Sequence, residues 1–208
     1  ESGHLMRGMG AVGLSGDWSS PSRFIRAAFL RRHMQIDDAM SVFSLLDAVK
    51  AAGMDSNLVE IVKEASMLHD IGKISVREDI LNKPGKLTAD EYEIMKSHVE
   101  NAVNIIRYLP SLDYVIPTVL SHHERYDGTG YPRQLAGEAI PIMGRILAIA
   151  DAYDAITSSR SYQDARPTSE AIRILKEEAG KQFDPHLVDI FVLYDIKFAG
   201  KPHFCVGI

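Results

Sequence analysis

Apolar residues recur three or four apart from Met34 to Val49, at Ile36, Met40, Phe43, Leu46 and Val49, and Gly53 stands beyond them as a stop. That period predicts an amphipathic helix. A second helix is expected from a cap at Ser56 or Asn57 through Leu58, Ile61, Val62, Ala65 and Leu68, ending at His69-Asp70 before Gly72. The stretch Asn82-Lys83-Pro84-Gly85-Lys86 is turn chemistry. Thr88 with Glu91 then makes a capping box ahead of Tyr92, Ile94, Met95, His98, Val99, Ala102 and Ile105, a third helix closed by Leu109-Pro110. A fourth is expected from about Asp113 to Arg125, kinked near its first turn by Pro117. Tyr126 to Pro132 holds too many glycines for a helix and reads as a structured loop. The run Ile146 to Ile156 is apolar on nearly every side, hence a central helix. One more spans roughly Ser169 to Glu178, and a short one runs from Asp184-Pro185 through Leu187, Val188, Ile190 and Phe191. Residues 1–33 show no steady period, with glycines at 8, 10, 13 and 16 and a cluster of Arg23, Arg26, Arg31 and Arg32. Neither they nor the tail after Tyr194 receives a predicted element.

The 208 residues are 46% hydrophobic and 25% charged, enough to bury the core of one domain, or of one domain with an appendage. Cys205 is the only cysteine, which excludes an internal disulfide framework. No apolar run approaches the roughly 20 residues of a membrane-spanning helix. The start at Glu1 shows neither the basic flank nor the apolar stretch of a signal peptide, so a cytoplasmic location with no membrane attachment is expected. A formal charge of -5 leaves no broad basic field for duplex nucleic acid, though a small anion in a locally basic pocket fits.

Chemistry enters where ionisable groups interrupt apolar helical runs. His69-Asp70 follows Ala65, Met67 and Leu68; His122-His123 follows Val119 and Leu120; Asp151 lies inside Ile146 to Ile156; His98 sits one helix away. Burying such groups costs several kcal/mol unless they are paired, protonated or bound to metal. Imidazole and carboxylate together suit Zn, Mn, Fe or Ni, and no thiolate is near. Each signal alone has a plain alternative: a helix end for His69-Asp70, a satisfied core histidine for His98, an ion pair with Arg145 or Arg160 for Asp151. Six such residues on four predicted helices would need as many separate excuses.

His69-Asp70-Ile71-Gly72-Lys73, Ile80 to Thr88, His122-His123-Glu124-Arg125-Tyr126-Asp127-Gly128-Thr129-Gly130-Tyr131-Pro132 and Ile146 to Asp154 resemble the HD-GYP family, a subset of the HD metallohydrolases, over about residues 53–192. The resemblance implies an all-α fold, an HD-type helical bundle with an irregular N-terminal segment. It implies two or three divalent transition-metal ions, iron or manganese, and hydrolysis of the bacterial second messenger cyclic di-GMP to the linear dinucleotide or GMP. The implied metal ligands are His69, Asp70, His98, His122, His123 and Asp151, with Asp70 bridging two ions, and the implied catalytic residues are Asp70 and Lys73. Two metals about 3.5 to 4 Å apart can activate water and stabilise both oxygens of an in-line displacement, so no protein nucleophile is required. Lys73 would approach the scissile phosphate, with Lys83, Lys86, Arg145 and Arg160 as further charges for two phosphates. Tyr131 and the glycines before it would meet a purine base or a signalling-protein partner.

The pattern breaks in places. The family usually carries a histidine ligand about 32 residues before the His-Asp pair and, in its three-metal subtype, a glutamate one turn earlier; here Asp37 and His33 stand at those positions. Gln163 and Asp164 follow Arg160-Ser161-Tyr162, where a basic residue is usual. Residues about 8–49 resemble an internal segment of the choloylglycine hydrolase and penicillin acylase amidases, clearest from Gly13 to Phe29. Amide hydrolysis is not expected, because that chemistry needs an N-terminal cysteine and this chain has only Cys205. The expected division is an N-terminal segment over 1–50, a fusion in this reading, a metal-dependent domain over 51–195 and a tail over 196–208. The competing function is an impaired module of the same fold that senses a ligand or binds another protein.

Overall fold

The computed structural model describes residues 55–158 and 165–198. The predicted helix of Met34 to Val49, Asp37, His33, the amidase-like stretch and Arg160 with Gln163 and Asp164 lie outside the described residues.

Helix α1 is Ser56–Leu68, and its cap is Asp55, whose carboxylate accepts from the Asn57 amide at 2.7 Å. The expected caps Ser56 and Asn57 are instead the first helical residues, because the aspartate one position earlier already satisfies a free N–H. Val62, Ala65 and Leu68 form the buried stripe. After His69 the chain tightens into a 3-10 turn, Ile71–Ser75, and a single-turn helix α2, Glu78–Leu81.

The capping box is present in both halves, the Thr88 hydroxyl accepting from the Glu91 amide and the Glu91 carboxylate from the Thr88 amide. The helix it opens is two segments rather than one, α3 at Ala89–Lys96 and α4 at His98–Ile106. Ser97 makes the break: its amide and its hydroxyl both donate to the Ile94 carbonyl, at 3.2 and 2.7 Å, in place of the regular helical ladder. His98 thereby becomes the first residue of a new segment.

A 3-10 turn, Pro110–Val115, leads into α5, Ile116–Ser121. Pro117 lies in the first turn of α5, where its missing N–H costs nothing, so it starts the helix and does not kink it. The helix stops four residues short of the expected Arg125. The central helix α6 is Ile142–Thr157, with Ile146, Leu147, Ala148, Ile149 and Ala150 consecutively buried. It is followed by α7, Thr168–Glu177, and α8, Pro185–Phe198. That last helix outruns the short one expected; the Asp184 carboxylate accepts from the His186 and Leu187 amides at its start, and Leu187, Val188, Phe191 and Val192 bury its first two turns. The fold is all-α. Among the described residues no strand occurs, and one isolated bridge joins Ala179 to Phe183.

α6 packs against α1, α5, α7 and α8, while α4 lies on the Ile71–Ser75 turn and on α5. The end of α1, the start of α4, the end of α5 and the middle of α6 therefore share one layer of the bundle. Gly72 permits the closest of these approaches: a Cβ there would stand 2.5 Å from the Ala102 amide nitrogen and 2.9 Å from the His98 carbonyl carbon, inside any allowed contact. No described helix is long and apolar enough to cross a membrane.

Candidate metal centre

The six residues singled out by the sequence converge. His69 and Asp70 follow the last turn of α1, His98 opens α4, His122 and His123 follow the last turn of α5, and Asp151 lies within α6. Both adjacent pairs, His69-Asp70 and His122-His123, occupy turns, and turns let neighbouring side chains point into one space.

His69, Asp70 and His122 form one set whose donor atoms all lie within 4.8 Å of one another, and His98, His122 and His123 form a second. Asp70 reaches both sides, with Oδ2 3.5 Å from His69 Nε2 and Oδ1 3.6 Å from His98 Nε2. Asp151 Oδ1 stands 3.7 Å from His69 Nε2. These separations are too long for hydrogen bonds. They do match donors around an ion: nitrogen or oxygen ligands at about 2.1 Å stand roughly 3.0 Å apart in an octahedron and roughly 3.4 Å apart in a tetrahedron.

A second observation supports the fit. The Nδ1 atoms of His69, His98 and His122 lie 2.7, 2.7 and 2.6 Å from the carbonyls of Ser66, Met95 and Val119, each three residues back. Donation of Nδ1–H to a carbonyl fixes the tautomer that leaves a lone pair on Nε2, the arrangement expected of a metal-bound imidazole. The Nε2 atoms of His98 and His122 are buried and make no hydrogen bond. An orphaned buried acceptor costs about 1 to 3 kcal/mol, and two of them facing one carboxylate cluster are accounted for by a cation. Among the described residues the other such atom is Thr118 Oγ1, which the structure does not explain.

The electrostatics point the same way. Burial lowers the pKa of His98 and His122 and pushes His123 down to about 4, so these rings are neutral at physiological pH. Burial opposes ionisation of Asp70, but His69 and then Lys73 outweigh it and hold the carboxyl well below its usual range. His69 likewise overcomes burial at Asp151 and holds it low. Burial would lower His69, yet Asp70 and Asp151 together raise it to about 9. One imidazolium thus stands where the carboxylates demand positive charge. The side chains of Asp70 and Asp151 keep 27% and 30% of their exposure, so the cluster opens to solvent on the carboxylate side.

The chain matches the HD domain model over residues 28–187. It belongs to the HD domain family. The match begins at residue 28, upstream of the residue 51 from which the metal-dependent domain was expected. A cyclic di-GMP phosphodiesterase of Vibrio cholerae is 40% identical over 154 residues, covering 70% of this chain and 31% of that protein. A cyclic di-GMP phosphodiesterase of Thermotoga maritima is 43% identical over 142 residues, covering 67% of this chain and 39% of that protein. The HD domain chain thus spans well under half the length of these curated relatives. A crystal structure of a cyclic GMP-AMP specific phosphodiesterase of Vibrio cholerae superimposes with a TM-score of 0.62 at 17% identity, over 83% of this chain and 46% of that one; at that identity the likeness is one of fold.

Around the cluster, the HD domain places the remaining predicted residues unevenly. Lys73 Nζ sits 2.6 Å from Asp70 Oδ2. Tyr131 stacks on His123, ring centroids 4.9 Å apart and planes 28° from parallel. Lys83 is engaged by both oxygens of Glu91, at 2.8 and 2.6 Å, which ties its turn to the α3 capping box. Lys86 is exposed in the same turn. Arg145 is committed elsewhere: its Nη1 meets Asp184 Oδ2 at 2.5 Å and its Nε the Ile140 carbonyl at 3.0 Å, joining the start of α6 to the start of α8. Three residues were missed as parts of the site. Lys96 and Tyr92 flank Tyr131, and buried Glu124 shapes the loop that carries it. Lys96, two positions before His98, and Glu124, next to His123, were within reach of a search of the ligands' neighbours.

Proposed function

We propose that this HD domain is a metal-dependent phosphodiesterase of the HD-GYP kind that hydrolyses cyclic di-GMP to the linear dinucleotide or GMP. The observation that carries the reading is the convergence of four imidazoles and two carboxylates with two buried Nε2 atoms left unpartnered. The names of the relatives, two of which are cyclic di-GMP phosphodiesterases, supply the substrate. His69, Asp70, His98, His122, His123 and Asp151 would hold the ions, two or three iron or manganese; Asp70 turns one oxygen toward His69 and the other toward His98.

Bound ions would activate water and neutralise phosphate charge. The protein does the rest. His98, His122 and His123 stay neutral and keep their lone pairs available, whereas His69, protonated beside the two carboxylates, would lose its proton on binding a cation. Asp70 and Asp151 stay ionised and supply the negative charge that retains divalent cations. Lys73, already drawn to Asp70, stands where it can also meet a phosphate oxygen, giving a point charge to the transition state. Half-buried Tyr131 would meet a guanine base beside the cluster with the part of its ring that remains exposed, and Lys86, exposed among the described residues, would approach a second phosphate.

Incubating the full chain, loaded with Mn2+ or Fe2+, with cyclic di-GMP and separating the products by chromatography tests the reading. Hydrolysis abolished by Asp70→Ala is expected. Metal uptake and nucleotide binding without turnover would replace it with the sensing module, and turnover confined to 3'3'-cGAMP would change the substrate.

A further inference from the structure

We infer that Tyr131 is a positioning residue for the His123 imidazole, which it holds by ring stacking in place of the carbonyl contact that holds the other three. His69, His98 and His122 each have Nδ1 against a carbonyl three residues back. His123 makes no ring hydrogen bond among the described residues. Its neighbours are aromatic: Tyr131 at 4.9 Å, nearly parallel, His122 at 4.0 Å and His98 edge-on at 5.1 Å. Of these, only Tyr131 lies outside the proposed ligand set.

Tyr131 is itself held on several sides. Its amide donates to the His123 carbonyl at 3.2 Å. Lys96 Nζ lies 5.7 Å above its ring and 5.4 Å above that of Tyr92, and Glu93 fixes the ammonium at 2.6 Å. The Tyr92 ring meets Tyr131 edge-on at 6.3 Å. Behind it, the Glu124 carboxylate accepts from the Arg133 and Leu135 amides at 2.7 and 3.1 Å, closing the loop on itself. A Cβ at Gly130 would stand 2.6 Å from Glu124 Cα, so only glycine lets the loop lie this close to the Glu124–Arg125 backbone that follows His123. These contacts fix the tyrosine ring, and the ring fixes the histidine plane. An imidazole binds an ion only along its lone pair, so a ring free to rotate is a weaker ligand; partners that orient ligands ordinarily change metal affinity by about 10- to 100-fold.

The inference rests on His123 being a ligand, and the experiment separates the two. Mn2+ affinity of the full chain is measured by competition with a chromophoric chelator, and the visible spectrum of the Co2+ form reports ligand geometry, with far-ultraviolet circular dichroism confirming folding. Tyr131→Phe, which keeps the ring, should hold affinity within about twofold and leave the Co2+ spectrum unchanged. Tyr131→Leu should weaken affinity about tenfold and alter the spectrum. Unchanged affinity in Tyr131→Leu, with loss in His123→Ala, would overturn the positioning role alone. No loss in His123→Ala would overturn the ligand assignment and the inference with it. Should Tyr131→Leu fail to fold, Lys96→Met provides the second reading: a loss of about threefold is expected, and no change overturns the inference.

Discussion

Gly72→Ala puts one methyl group between the Ile71–Ser75 turn and α4. The new Cβ would lie 2.5 Å from the Ala102 amide nitrogen, where ordinary contact begins at 3.4 Å, and closer still to the His98 carbonyl oxygen. The neighbours are backbone atoms in a helix, so no side chain can swing away. Turn and helix must part by about 0.9 Å or more, while metal–ligand distances tolerate only about 0.2 Å. Asp70 rides on the turn and His98 opens the helix, so their 3.6 Å separation absorbs the displacement. Two effects are expected. Overpacking should cost about 1 to 3 kcal/mol, read as a lower urea midpoint with an unchanged slope. Metal affinity, read by chelator competition, should fall at least tenfold, as it does when ligand support is disturbed. A variant with unaltered midpoint and affinity would show that the turn and α4 are not in rigid contact, and the link between this glycine and the metal centre would be refuted.

Other changes give separable outcomes. Arg145→Met leaves Asp184 buried without its cation and should cost about 3 kcal/mol by urea unfolding, with much of the loss recovered when Asp184→Asn is added. Lys73→Ala should lower turnover while metal content by mass spectrometry stays nearly intact; loss of metal would contradict a role at the phosphate. In metal-free protein the raised pKa of His69 means that its ion pairing stabilises the fold fully below about pH 6.5 and is lost as pH rises through about 9. The urea midpoint in chelator should therefore fall between those limits, and the His69 ring proton resonance should titrate near the upper one. At 100 times its dissociation constant, Mn2+ should add about 2.7 kcal/mol of stability, removable by chelator.

The parts of the fold that were legible were those set by local chemistry. The Thr88–Glu91 box and the apolar run of α6 announce themselves because capping and burial act on neighbours in sequence. The break at Ser97 was not legible, because one serine hydroxyl competing for the Ile94 carbonyl decides it and serine is common inside helices. Pro117 misled for a related reason: proline kinks a helix or begins one depending on where the helix starts, and the start is fixed by packing of the Pro110–Val115 turn. In the site, imidazoles and carboxylates in apolar surroundings were visible because burial demands compensation. Arg145 was not separable from a phosphate-binding arginine, since its partner Asp184 lies 39 positions away and only the tertiary fold brings them together. The support given by Tyr92, Lys96 and Glu124 was hidden likewise, as it arises from α3 and the loop meeting across the cluster.

The most direct test of the central claim is an anomalous-difference map from crystals of the full chain grown with Mn2+. The account predicts peaks within about 2.0 to 2.3 Å of His98 and His122 Nε2 and of the Asp70 oxygens, with Asp70 shared between neighbouring peaks. A map without density there, at saturating metal, or with Mn2+ held by other residues, would contradict it.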